Sequence, residues 1–183
     1  MAITRLGGAN AITGTLPAAN INNTSIGNVT SLPAAISTGK AIQVVTSTTG
    51  TNTQITTQSD TDTSLSASIT PTSSSNKVLV LVSQMVQFQR DAGSGYEMAA
   101  TTKLFRDSSQ ISKKTSSITV GSGPTGTQGG RDGLAFAVLD SPSTTSSVTY
   151  KTTGSCNTTN NNGTIRYNEG GTKGEITLIE VAS

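Results

Sequence analysis

Histidine and tryptophan are absent from this 183-residue sequence, and cysteine occurs once. Without histidine, Ser-His-Asp and Cys-His catalytic groups are excluded, and the commonest zinc ligand is missing. The single cysteine, Cys156, excludes a disulfide within the chain and is compatible with assembly in a reducing cytoplasm. The ten acidic residues are not spaced as a catalytic pair of carboxylates. The sequence therefore predicts that the protein is not an enzyme and holds neither a metal nor a cofactor.

Charge is also scarce, because only 12% of the residues are charged, with 12 basic against 10 acidic side chains. This balance argues against nucleic-acid binding, which calls for a basic surface. The first ten residues lack the apolar core of a signal peptide, and no stretch approaches the ~20 apolar residues of a membrane span. We expect no nucleic-acid partner and no insertion into a membrane.

Threonine, valine, serine, glycine and asparagine are abundant instead, and these residue types suit half-buried strands and turns. From residue 41 onwards, apolar and polar residues alternate in short runs, and long segments with the 3.6-residue period of a helix are missing. The pattern predicts an all-β fold, an antiparallel β-sandwich or jelly roll over residues 41–183. Its ten predicted strands cover residues 41–47, 53–58, 64–70, 77–89, 97–107, 116–120, 133–140, 147–153, 164–168 and 175–182.

The first 40 residues differ from the rest and are predicted to form a separate, extended arm. They contain the tetrapeptide Leu-Pro-Ala-Ala twice, and Pro17 and Pro33 interrupt any helix. Their large apolar residues are spaced too irregularly for a heptad or a strand. The segment is either a loose tail or an arm buried against copies of itself or a larger partner, since one chain cannot bury it. The residues expected to dock on a larger assembly are Leu16, Ile21, Ile26, Leu32 and Ile36.

Two of the predicted strands, in residues 78–82 and 133–139, are apolar on both faces. A strand of an antiparallel sandwich normally has one face in water. The second face therefore needs either a covering loop or another subunit. Another subunit is favoured, because few apolar residues remain with which the chain could cover itself. The predicted subunit interface consists of Leu79, Leu81, Ala135 and Ala137.

Two short motifs carry little weight. The letters GSGPTG at residues 121–126 match a dinucleotide-binding pattern, but Pro124 and the glycines after it cannot open the helix that such a site needs. Asp60 and Asp62 are spaced as in a calcium loop, but the glycine and glutamate that such a loop requires are replaced by Leu65 and Pro71. Both motifs are predicted to be loops or turns.

Three long predicted loops, at residues 90–96, 121–133 and 156–162, are expected at one end of the sandwich, where loops often carry recognition. Tyrosines can stack on sugar rings, and arginines can bind hydroxyls or anions. The alternative for the two tyrosines is packing at strand edges with the hydroxyl in water. The candidate receptor-binding residues are Arg90, Tyr96, Arg131, Arg166 and Tyr167.

Six segments together resemble small structural proteins of tailed phages, especially phages of marine and freshwater bacteria. The resemblance covers nearly the whole chain and rests on sequences typical of fibres rather than on a catalytic signature. The segments are MAITRLGGANAITGTLPAANI, LPAAISTGKAIQVV, ASITPTSSSNKVLVLVS, LFRDSSQI, AVLDSPSTTSSVTYK and EITLIEVAS.

The resemblance implies a homotrimeric virion protein that is assembled in the host cytoplasm. Its arm would attach to other virion proteins or form a thin shaft, and its β-sandwich head would meet the host surface. Two functions remain open. The first is a tail fibre that binds a receptor, with surface polysaccharide as the expected class. The second is a capsid decoration or head-fibre protein that docks on the shell through the arm. An enzyme such as a depolymerase ranks third.

Overall fold

The computed structural model describes residues 40–91, 96–120, 128–157 and 163–182. The expected arm lies outside these ranges apart from Lys40, so the arm and the domain boundary stay predictions. The same holds for its five docking residues, Leu16, Ile21, Ile26, Leu32 and Ile36.

The described residues are almost entirely strands, and all ten predicted strands are present. The only helical element among these residues is a single 3₁₀ turn, Glu169–Gly171. The strands are β1 (Ala41–Thr49), β2 (Thr53–Ile55), β3 (Thr61–Ile69), β4 (Lys77–Arg90), β5 (Tyr96–Arg106), β6 (Ser109–Val120), β7 (Gln128–Asp140), β8 (Val148–Cys156), β9 (Thr164–Tyr167) and β10 (Gly174–Val181).

The strands pair as a long hairpin folded over on itself. β1 pairs with β10, β3 with β8, β4 with β7, and β5 with β6, all antiparallel. Two further pairings, β4 with β10 and β5 with β8, join these pairs into two sheets. Sheet A contains β1, β10, β4 and β7, and the short strands β9 and β2 extend it beside the second half of β4. Sheet B has the order β3, β8, β5, β6. These nested pairs form a jelly roll, which confirms the predicted β-sandwich.

Strict alternation decides which side chains fill the space between the sheets. In β3, every second residue from Thr63 to Ile69 is buried, and β4 and β10 follow the same period. The apolar core has two parts, one around Val80, Phe136 and Leu178 and one around Phe88 and Ile165. A polar layer separates them, in which Gln84 Nε2 donates to Thr63 Oγ1 and Thr152 Oγ1 donates to Gln84 Oε1.

The two ends of the sandwich differ in what they carry. At one end, here called the base, β1 begins at Ala41 opposite Val181, and β4 begins at Lys77. At the other end, called the tip, Arg90 lies opposite Gln128. The strand ends that flank residues 92–95, 121–127 and 158–162 all lie towards the tip. Lys40, which precedes β1 and accepts a hydrogen bond from the backbone of Ala182, lies at the base.

Two strands, β6 and β7, begin well before the positions that the sequence pattern indicates. β6 already begins at Ser109, because Asp107 takes the left-handed conformation (φ 51°) that closes a tight turn after β5. β7 begins at Gln128, and its first glycines pair with β4 instead of forming a loop. A Cβ at Gly129 would lie 2.4 Å from the carbonyl oxygen of Phe88, so the close approach of these strands requires glycine.

Candidate functional site

The outer face of sheet A, which points away from the core, carries an apolar area in its base half. One row crosses all four main strands through Val44, Ile179, Leu79 and Leu139, which are direct cross-strand neighbours. Val44 and Leu139 are 58% and 55% exposed. Among the described residues, the exposed large hydrophobic side chains all lie on this face: Ile42, Val44, Leu81 and Leu139. We call this surface the apolar face.

The structure brings the four predicted interface residues together on the apolar face. Leu81 lies directly opposite Ala137, and Leu79 and Ala135 lie in the rows on either side. The alternate residues of β4, such as Val80, are buried in the core. Both faces of β4 are thus apolar, as predicted, and the described residues cover only one of them. Association with a second subunit through this face stays a prediction.

The tip half of the same outer face is polar and cationic. Gln54, Arg166, Gln87 and Arg131 are direct neighbours across β2, β9, β4 and β7, so amide and guanidinium side chains alternate along one row. Arg166 donates from Nε and Nη2 to Gln54 Oε1, each at 3.1 Å, and from Nη1 to Gln89 Oε1. Gln87 Oε1 is buried without a hydrogen-bond donor in the described part of the chain. We call this set the Arg–Gln row.

Arg131 extends from β7 across β4 towards the 3₁₀ turn that follows β9. Its Nη2 would lie 3.4 Å from a Cβ at Gly170, whose positive φ of 72° also favours glycine. Glu169 in this turn accepts a hydrogen bond from Asn52 Nδ2. The ion pairs within the described ranges join Lys103 to Asp60, Arg106 to Asp140 and Lys151 to Asp62. Neither arginine of the row takes part in them.

Two of the predicted receptor-binding residues are corrected by the structure. Tyr167 is completely buried, and its hydroxyl lies 2.5 Å from Thr102 Oγ1, so its ring packs in the core. Burial raises the pKa of Tyr167 to about 12. Arg90 is only 2% exposed, at the end of β4. Tyr96 begins β5, opposite Val120. Of the five predicted residues, Arg131 and Arg166 share one surface.

The alternation of inward-facing and outward-facing positions along a strand already indicated that Tyr167 and Arg90 are buried. Tyr167 is in phase with buried Ile165, and Arg90 is in phase with buried Phe88. The glutamines of the Arg–Gln row were missed because their neighbours lie on distant strands, and only the strand register shows which side chains meet.

Polar side chains at the base are bonded to one another. Glu180 is fully buried and accepts hydrogen bonds from Asn76 Nδ2 and Gln43 Nε2, each at 2.6 Å, and from the backbone and hydroxyl of Thr72. Burial by itself would raise the pKa of Glu180, but these hydrogen bonds outweigh it and lower the pKa to about 2.

A second polar cluster at the base joins the two sheets. Arg106 Nη1 and the hydroxyl of Tyr150 both donate to Asp140 Oδ2, at 2.8 and 2.7 Å. Burial, followed by the hydrogen bond to Asp140, raises the pKa of Tyr150 well above its usual range. Like the group around Glu180, this cluster has its hydrogen bonds satisfied within the chain, so its role is structural.

Among the described residues, no group of three or more histidine, cysteine or acidic side chains is placed to hold a metal ion. Asp60 lies just before β3, but Asp62 lies within it, so the predicted turn does not include Asp62. The two carboxylates form ion pairs with Lys103 and Lys151 at 2.7 and 3.4 Å. In the described ranges no helix is long and apolar enough to cross a membrane. The GSGPTG motif, residues 121–126, lies outside these ranges.

No family model and no curated protein matches the sequence. Similar solved structures come from infectious bursal disease virus. A mutant VP2 protein in derived T=1 particles has a TM-score of 0.29 and 15% identity, over 76% of this chain and 36% of that chain. The structure of the Gx strain has a TM-score of 0.27 and 14% identity, over 77% and 38%. This chain thus spans well under half the length of these neighbours, and the fold assignment rests on its own strand pairing.

Proposed function

We propose that this protein is a structural component of the virion of a tailed phage, a trimeric tail fibre that attaches to the host surface through its β-sandwich head. The observation that carries the proposal is the difference between the two ends of the sandwich. The start of β1 lies at the base, next to an apolar face that the described residues leave uncovered, and the Arg–Gln row lies towards the tip. This polarity suits a head whose arm points to the virion and whose tip points outwards.

The occupant of the apolar face in this proposal is a second copy of the same chain. The row from Val44 to Leu139 is apolar across the full width of sheet A, and the charged residues of this face lie outside the row. Burial of apolar surface stabilises an interface by roughly 25 cal/mol per Å². Three copies packed side by side around this surface would bring their bases together, and the three arms would leave the assembly as one bundle.

Antibody labelling of intact phage particles in the electron microscope tests the virion role and distinguishes its two forms. The tail-fibre proposal predicts label at the tail. Label spread over the head would replace it with the capsid decoration function, in which the arm docks on the shell. Particles without label would overturn the virion role altogether.

Removal of residues 1–36 tests the role of the arm. The truncated protein is expected to keep the circular dichroism of a β-sandwich, because the core of the head lies in residues 41–182. It is also expected to be missing from purified particles, since the predicted docking residues have been removed. Incorporation of the truncated protein at the level of the intact protein would contradict an anchoring arm.

A further inference from the structure

We infer that the Arg–Gln row binds anionic groups of a polysaccharide, an inference that rests on the proposed role in host attachment and names the ligand class. The row lies on the outer face of sheet A, on four strands that the core holds in place. Its four side chains lie side by side across the strands, which suits a polymer that lies across the sheet.

The first argument is charge. Arg131 and Arg166 lie in one row, separated only by Gln87, at two strand spacings or about 10 Å between their backbones. Neither arginine is paired with a carboxylate in the described part of the chain, where the ion pairs involve other residues. Glu169 in the adjoining turn is bonded to the neutral amide of Asn52, so its negative charge remains and offsets one of the two guanidinium charges. The row and the turn together leave one positive charge on a protein that is otherwise poor in charge.

The second argument is orientation. Arg166 is held by the neutral oxygens of Gln54 and Gln89, which fix its guanidinium without neutralising it. A guanidinium has five N–H donors, and these bonds use three of them, so about two remain for a ligand. Carboxylates and phosphates match the planar donor pattern of arginine, and charge-assisted hydrogen bonds are the strong ones.

The third argument is access. Gly170 in the 3₁₀ turn has a positive φ of 72°, which favours glycine, and a Cβ there would be in ordinary van der Waals contact with Nη2 of Arg131, at 3.4 Å. Arg131 is exposed, and the buried Oε1 of Gln87 beside it lacks a donor among the described residues. The row thus combines one fixed and one adjustable guanidinium, an arrangement that can hold two anionic groups on neighbouring sugars of one polymer.

The test is calorimetric titration of the full-length protein with three probes: oligogalacturonate, phosphorylated dextran and unmodified dextran. We expect binding of an anionic probe and no binding of neutral dextran. The preferred probe then shows whether carboxylate or phosphate is the group recognised. Arg131→Gln and Arg166→Gln are each expected to weaken binding at least tenfold, and the double variant to abolish it. Lys113→Gln, which removes the same charge from an exposed position on sheet B, is the matched control and should bind like the unaltered protein.

Three results would overturn the inference: no binding of either anionic probe, equal binding of neutral dextran, or an equal loss in Lys113→Gln. The last result would mean attraction to net charge alone. These outcomes are separate from those for the proposed function. If antibodies label the phage tail but Arg131→Gln and Arg166→Gln bind the probes like the unaltered protein, the fibre role is supported. Only the proposed anionic ligand is then contradicted.

Discussion

At the scale of single residues, Glu180 is a buried carboxylate that forms none of the ion pairs found in the described ranges, and hydrogen bonds keep it ionised. Its pKa in the folded protein, about 2, is below the ordinary value of 4.5. A group with a lowered pKa stabilises the folded state above its ordinary pKa, and this contribution is lost as the pH falls towards the folded-state pKa. We expect Glu180 to contribute about 1–2 kcal/mol to the free energy of unfolding at neutral pH, after allowance for solvent screening.

The first prediction is that this contribution is lost between about pH 4.5 and pH 2, as measured by urea denaturation across that range. Glu180→Gln should lower stability at pH 7 and flatten the dependence on pH. Glu175→Gln, on the same strand but exposed, should lose stability on acidification to the same extent as the unaltered protein. If Glu180→Gln also lost stability to that extent, Glu180 would not be the source of the pH dependence.

Gly154 is a second residue whose identity is fixed by packing. A Cβ at this position would lie 2.5 Å from Cε2 of Tyr167, whose ring is fully buried. Gly154→Ala is expected to destabilise the protein by about 1–3 kcal/mol, the range for overpacked cores. Thermal unfolding measures the change.

The matched control for Gly154→Ala is Gly50→Ala, at an exposed glycine where a Cβ would meet nothing within 4 Å. Its effect should stay within about 0.5 kcal/mol, as for an ordinary surface position. Equal melting temperatures for the two variants would show that the ring of Tyr167 does not occupy the space above Gly154.

At the scale of elements, β4 is the strand on which the account depends, because its two faces have different neighbours. Val78, Val80 and Val82 are buried in the core, and Leu81 is 37% exposed on the apolar face. We expect Leu81→Asp to leave the sandwich folded and to prevent association, since an unpaired charge in a packed contact costs several kcal/mol. Circular dichroism and light scattering measure these two effects separately.

Ser66→Asp is the control for Leu81→Asp, because it places the same charge on an exposed position of β3 in sheet B. It should change neither the fold nor the mass. Loss of association in Ser66→Asp alone would move the contact to sheet B. Retention of the assembled mass in Leu81→Asp would show that the apolar face is free in solution.

The strands themselves were predictable, because alternation and turn residues are local signals. The starts of β6 and β7 were not, since Lys113-Lys114 and the glycines after residue 128 resemble turn sequences and become strands only through pairing with β5 and β4. Lysines are tolerated in β6 because it is an edge strand of sheet B. Strand order also lay beyond sequence reasoning, because it depends on contacts between distant segments.

The candidate site was predictable in part for the same reason. Arginines at positions 131 and 166 were recognisable as polar residues near loops, but their meeting in one row depends on the register of β7 and β9 against β4. The part of the apolar face on β4 and β7, in contrast, was predictable, because each of these strands has apolar residues at both alternate sets of positions. The part on β1 and β10, with Val44 and Ile179, depends on the strand order.

At the scale of the whole molecule, the outer face of sheet A carries two surfaces with different proposed roles, the apolar face and the Arg–Gln row. The base half of sheet A offers apolar side chains next to the point where the chain enters, and the tip half offers the Arg–Gln row. In the proposed trimer the first half holds the copies together and the second half contacts the ligand.

The mass of the purified full-length protein in solution tests this account most directly. Sedimentation equilibrium at micromolar concentration should give the mass of three chains of 18.6 kDa each. A stable species with the mass of one chain, with Val44 and Leu139 accessible to solvent, would contradict the claim that other copies cover the apolar face.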